Sequence, residues 1–163
     1  KPYEEIKDND CIVFFSSQTS VKKIEKKKFF YSNFNKKLIH ILKKINSKAK
    51  IIFISSDYVY SGTKKIYFDN DIAKPKNFYG KFKIEIEQYI KRRFSNYIIL
   101  RSCKIFSNKI SFKTIYREIY KKLKKKKKFE VFVDQKIHLL NLEDFLFIIF
   151  KLLNNKKKYC RKF

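Results

Sequence analysis

Tyr79 and Lys83 stand four residues apart in Tyr79-Gly80-Lys81-Phe82-Lys83, which opens a segment of helical pattern. Residues i and i+4 share one face of a helix, so a phenol and an ammonium so placed point into the same space. An ammonium beside a phenol favours the phenolate; it lowers the Tyr pKa toward working pH and makes the group a usable proton donor or acceptor. Ser55 and Ser56 close the apolar run Ile51-Ile52-Phe53-Ile54, and the carboxyl ends of strands are where open α/β sheets gather their chemistry. Ser, Tyr and Lys in that order point to carbonyl–alcohol redox chemistry with a nicotinamide cofactor. A bare Tyr-x-x-x-Lys recurs by chance, so its meaning rests on the elements around it.

Those elements alternate. Residues 10–16 read as a buried strand, a continuous apolar run of the kind found in parallel sheets. Residues 26–46 carry Phe29, Phe30, Phe34, Leu38, Ile41, Leu42 and Ile45 at helical spacing, with Lys on the other face. A second strand covers 51–55, and 57–77 is a loop-like excursion rich in turn residues (Ser61, Gly62, Asp69, Asn70, Asp71, Pro75). A helix over 78–93, a strand over 97–102, a helix over 111–126, a short strand over 129–133 and a last helix over 142–153 follow. This order predicts an α/β fold with a parallel sheet and right-handed crossovers.

Composition bounds the function. The 163 residues carry 41 Lys plus Arg against 15 Asp plus Glu, a formal net charge of +26. Only Arg92, Arg93, Arg101, Arg117 and Arg161 are Arg, whereas readers of phosphates and base edges favour the Arg fork. The Lys excess, accompanied by Ile, Phe, Asn and Tyr, reads as drift at solvated positions, and no specific nucleic-acid partner is expected. Cys11, Cys103 and Cys160 match no metal-ligand spacing, so we expect no metal, and Cys11 and Cys103 read as small core residues in a reducing cytoplasm. Residues 142–153 are too short, and with Glu143, Asp144 and Lys151 too charged, to span a bilayer. The chain has no Met and only two Gly, Gly62 and Gly80. It therefore lacks a Gly-rich phosphate loop, and we expect a natural protein that continues upstream with that βαβ unit.

With strand, hydroxyl pair and Tyr-Lys helix in place, the chain resembles the extended short-chain dehydrogenase/reductases, in particular the dTDP-4-dehydrorhamnose reductase-like, sugar-nucleotide-binding branch. The resemblance is carried by Ser55-Ser56-Asp57-Tyr58-Val59-Tyr60-Ser61-Gly62, then Tyr67, Asp69, Asp71, Pro75 and Asn77, Tyr79 to Lys83, Glu87, Leu100-Arg101-Ser102, and Val133-Asp134-Gln135 with Asp144. Thr19-Ser20-Val21 with Glu25, and Asn33, fall where that branch has similar residues. The resemblance implies a Rossmann-like parallel sheet with helices on both faces. It implies that 1–105 form the later part of a dinucleotide-binding domain and 106–163 a partial substrate-binding region.

It also implies catalytic roles for Ser56, which would hydrogen-bond the substrate carbonyl, Tyr79, which would give the proton, and Lys83, which would hold the nicotinamide ribose and keep the Tyr pKa low. Cofactor contacts would come from Ser16, Ser55, Tyr79 and Lys83, and substrate contacts from Asp57, Tyr58, Arg101 and Gln135. Arg101 reads equally as the partner of a carboxylate at a strand end. The implied activity is NADPH- or NADH-dependent reduction of a nucleotide-activated 4-keto-6-deoxy sugar for surface polysaccharide synthesis. Alternatives are an epimerase or dehydratase of the same superfamily, or a non-catalytic regulatory homologue. A homodimer through the helix bearing Tyr79 is a further expectation of the resemblance. Lys104 and Leu139-Leu140 depart from the branch on its substrate side, which leaves the sugar open.

Overall fold

A computed structural model describes residues 6, 10–15, 21–107, 115–126, 128, 137–155 and 160–162. The chain divides into two compact units, Lys1–Arg101 with Lys157–Phe163, and Ser102–Lys156.

The first unit is built on a sheet of order β1-β2-β3-β6, with β1 at Cys11–Phe15, β2 at Lys50–Ser56, β3 at Tyr97–Ser102 and β6 at Cys160–Lys162. Strand β1 runs parallel to β2 in the register Cys11↔Lys50 to Phe15↔Ile54, and β3 runs parallel to β6. All seven residues of β2 are buried, which explains why the sequence there shows no alternation of apolar and polar residues. Helices α1 (Val21–Lys26), α2 (Lys28–Lys44) and α3 (Phe78–Arg93) belong to the same unit. Leu42 and Ile45 from the α2 end, Ile51 and Phe53 from β2, Ile86 and Ile90 from α3, and Ile99 from β3 form one core cluster. Each such side chain, fully buried, contributes roughly 1.5–3 kcal/mol.

The observed elements follow the expected ones closely where apolar runs are long. Helix α3 and strand β3 have the expected bounds, and β2 is longer by one residue at each end. The segment expected as one helix over 26–46 is α2 alone, preceded by the separate short α1.

In the second unit, β4 (Lys104–Phe106) pairs in parallel with β5 (Leu139–Asn141), alongside α4 (Ile115–Lys124) and α5 (Leu142–Asn154). The sequence reading missed both strands, because three residues are too few to show a period. Helix α4 ends at Lys124, two residues before the expected 126, at a turn in which Lys126 takes φ 50, a left-handed conformation more usual for Gly; the expected start over 111–114 lies outside the described residues. The expected strand over 129–133 lies outside the described residues. Cys11 and Cys103 are half-buried rather than fully in the core, and burial pushes the Cys11 thiol up. Among the described residues, no helix is long and apolar enough to cross a membrane.

Candidate functional site

Helix α3 starts where its first amides find acceptors. The Asn77 side chain accepts from Gly80 N–H at 2.8 Å, and the Glu25 carboxylate of α1 accepts from Phe78 N–H. Two of the four orphan donors at the helix start are thereby satisfied. Gly80 sets how closely that start approaches the chain after β2. A Cβ built on Gly80 would lie 2.6 Å from Pro75 Cβ and closer still to the carbonyl oxygen of Tyr58. Only the absence of a side chain permits this contact, which brings Tyr79 against the end of β2.

Beyond its start, α3 presents two adjacent buried columns. Phe82, Ile86 and Ile90 are apolar; Tyr79, Lys83 and Glu87, spaced by four, carry ionisable groups. Their exposures are 5% for Tyr79, 2% for Lys83 and 1% for Glu87. The Lys83 ammonium donates to the Ile54 carbonyl at 2.8 Å and lies 5.1 Å from the Phe53 ring centroid and 5.6 Å from that of Tyr79. The Ser56 hydroxyl donates to Asp57 at 3.0 Å and accepts from Tyr58 N–H at 3.3 Å, and it stands near enough to the Tyr79 phenol to lower its pKa. The Tyr58 ring meets Tyr79 edge-on at 5.8 Å between centroids. The fold thus brings Ser56, Tyr79, Lys83, Asp57 and Tyr58 together at the carboxyl end of β2.

Burial governs their titration. Desolvation raises the Tyr79 phenol above its ordinary 10, against the lowering effect of the Ser56 hydroxyl; Asp57 and Tyr58 push it further up. Desolvation drags Lys83 from 10.5 to about 7, and Glu87 pulls it back up. The expectation that Lys83 keeps the Tyr pKa low is therefore corrected for this arrangement. Burying both groups disfavours both charged forms.

Ser55 turns its hydroxyl to Glu87 Oε1 at 2.6 Å. Arg101 donates to the same carboxylate twice, from Nε at 3.1 Å to Oε1 and from Nη2 at 2.6 Å to Oε2. The carboxylate partner that one of the two readings of Arg101 expected is Glu87. The Arg101 and Glu87 side chains are 4% and 1% exposed, and removing one member of so buried a pair costs about 3–5 kcal/mol. Arg101 also donates from Nη1 to the Tyr60 hydroxyl at 2.9 Å.

Ser16 and Gln135, assigned to cofactor and substrate by the resemblance, lie outside the described residues. Three residues gain parts that the sequence reading did not give them. Glu87 was named only within a motif, although its place one turn beyond Lys83 was the available signal. Gly80 had no role, because its crowding comes from a loop distant in sequence. The buried Asn of α2 is Asn35, donating to the Phe82 carbonyl at 3.1 Å and to Glu85, whereas Asn33 is only half-buried.

The model of the RmlD substrate binding domain matches residues 4–159. The structure is similar to a hypothetical dTDP-4-dehydrorhamnose reductase from Sulfolobus tokodaii (TM-score 0.78, 28% identity, 92% of this chain and 53% of that one). It shares its fold with the dTDP-4-dehydrorhamnose reductase of Bacillus anthracis, solved in complex with NADP (TM-score 0.77, 21% identity, 96% of this chain and 56% of that one). Among curated proteins, the methionine adenosyltransferase 2 subunit beta of Bos taurus is 43% identical over 53 residues, 32% of this chain and 16% of that protein. The chain spans about half the length of these solved structures and a smaller part of the curated relative.

Proposed function

The chain belongs to the RmlD substrate binding domain family, and on that premise we propose that its protein is an NADPH- or NADH-dependent reductase of a nucleotide-activated 4-keto sugar. The observation that carries this reading is the buried meeting of Ser56, Tyr79 and Lys83 at the carboxyl end of β2. The cofactor fits the donors available. An ammonium has three N–H donors, and among the described residues one of Lys83's goes to the Ile54 carbonyl, so the others suit a ribose diol.

When bound, the nicotinamide supplies the hydride, which no side chain can. The chain's own groups do the rest. Ser56 orients the substrate carbonyl by hydrogen bonding. Tyr79, held protonated at neutral pH by its burial, gives its phenolic proton to the oxygen that gains negative charge. Lys83 compensates the phenolate left behind. Ser55 and the cofactor-side Ser16, with Asp57, Tyr58, Arg101 and Gln135 toward the substrate, complete the assignment. Deoxysugar synthesis for surface polysaccharide, in the cytoplasm, is the setting we propose.

The 53-residue match to a protein named as a subunit supports a second reading, a non-catalytic homologue that binds a partner. Full-length protein with NADPH or NADH and a dTDP-4-keto-6-deoxyhexose separates the two. Oxidation of the dinucleotide, followed by absorbance, supports the reductase. Dinucleotide binding without oxidation on any 4-keto nucleotide sugar supports the subunit reading.

A further inference from the structure

We propose that Glu87 and Arg101 form a buried charge clamp that sets the charge on Lys83, with Glu87 as a positioning residue for the Tyr79–Lys83 proton-transfer pair. This deepens the reductase reading and rests on it. Lys83 and Glu87 lie one turn apart in the same buried column of α3, at 2% and 1% exposure. With so little water to screen them, charges one turn apart interact far more strongly than on a surface.

Glu87 is not free to serve Lys83 alone, because both of its oxygens accept from the Arg101 fork and Oε1 also accepts from Ser55. Lys83 therefore shares its nearest carboxylate on α3 with a guanidinium that both carboxylate oxygens already hold. Among the described residues, the other ionisable groups on this side are Tyr79 on α3, Asp57 and Tyr58 after β2, and Tyr60, which accepts from Arg101 Nη1 at 2.9 Å. Glu25 of α1 accepts from Phe78 N–H, and Glu85, on the α3 face turned to α2, accepts from Asn35. The opposing influences on Lys83, burial downward and Glu87 upward, accord with this geometry.

The clamp makes a prediction of sign. Glu87→Gln keeps the shape but removes the attraction, so Lys83 should lose its proton at lower pH. Arg101→Gln removes the competing cation, so the undivided carboxylate should hold the Lys83 proton to higher pH. A salt bridge that only braces the fold predicts otherwise: either variant loosens the same contact, admits water and moves Lys83 upward toward 10.5.

The experiment is a pH titration of full-length protein labelled with 13C at lysine Cε, with Lys83 assigned as the resonance lost in Lys83→Met. We expect a midpoint lower by about one pH unit in Glu87→Gln and higher by a similar amount in Arg101→Gln. Shifts of the same sign in both, or no shift in Glu87→Gln, overturn the proposal. If Arg101→Gln does not fold, the direction in Glu87→Gln decides alone. The titration is read without turnover, so a fully active Tyr79→Phe would end the catalytic reading and leave this result standing by itself.

Discussion

Tyr79 and Lys83 at the start of α3, and Lys64 and Tyr67 in the excursion before it, are the same two residue types at nearly the same spacing. They differ in what surrounds them. Around the first pair, desolvation dominates and drives both groups toward neutrality, the phenol up and the ammonium down to about 7. The second pair is built from hydrogen bonds at the surface. The Tyr67 hydroxyl oxygen accepts from Thr63 N–H at 2.9 Å and Lys64 N–H at 3.1 Å and lies 3.0 Å from Ser61 Oγ, which lowers its pKa to about 8. Lys64 pairs with Asp71 at 2.6 Å, which raises the Lys and lowers the Asp. Side-chain identity and spacing thus leave the direction of titration open. Burial against solvated hydrogen bonding decides it.

The largest expected effect separates the pairs by turnover. In the full-length protein, Tyr79→Phe should lower kcat by about 10²–10⁴-fold, the usual contribution of a positioned general acid, while dinucleotide binding is retained. Tyr67→Phe should leave kcat unchanged. Steady-state kinetics of the two variants side by side check this, and equal losses would erase the distinction.

Next comes the pH dependence of stability. An unfolded Lys83 binds its proton up to about 10.5 and the folded one only up to about 7. Between those values the unfolded state holds more protons, so this group makes folding stability rise with pH, by up to about 1.4 kcal/mol per pH unit. Urea melts across that window should show a shallower rise in Lys83→Met than in the unmodified protein. An identical slope would mean that the ammonium is solvated. Replacing Lys64, which is exposed and whose pKa Asp71 raises rather than lowers, should leave that rise in place.

The two glycines extend the comparison from charge to space. Gly80→Ala sets a Cβ against backbone and Pro75, atoms that cannot swing away, and overpacking of this kind costs about 1–3 kcal/mol. Gly62, in the excursion, has φ 73 and nothing within 4 Å of a built Cβ, so Gly62→Ala meets only the left-handed penalty of about 1–2 kcal/mol. Denaturant midpoints should fall further for Gly80→Ala, and Gly80→Ala alone should also impair turnover, because it displaces Tyr79.

What the sequence made legible follows the same division. The long apolar runs of β2, α3 and β3 carried their own period and length, and the i, i+4 rule placed Tyr79 and Lys83 on one face before any coordinates. The contacts that define the site's electrostatics join residues distant in sequence. Ser55 reaches Glu87, Glu87 reaches Arg101, Gly80 reaches Tyr58, and Asn35 reaches Phe82. No local pattern encodes those pairings. The lowered Tyr pKa expected from spacing failed for this reason: spacing reports proximity, and only the packing of β2, α3 and β3 reports how little water is left.

The smallest effect isolates the surface pair. The phenolate of Tyr67 is favoured by backbone N–H groups and the Ser61 hydroxyl, so its folded pKa of about 8 lies below the unfolded value of about 10. The stabilisation it gives is complete above that unfolded value and is lost as pH falls through about 8. At neutral pH the phenol is mostly protonated, and Tyr67→Phe should leave the melting midpoint there nearly unchanged. Its signature is spectroscopic. Tyr67 should ionise near pH 8 in the ultraviolet phenolate absorbance, and that step should vanish in Tyr67→Phe. The step should persist in Tyr79→Phe, because burial holds that phenol above the ordinary range. If the step near pH 8 disappeared with Tyr79 instead, the assignments of the two environments would be reversed: the buried phenol would be the acidic one, as the Tyr-Lys spacing alone had implied.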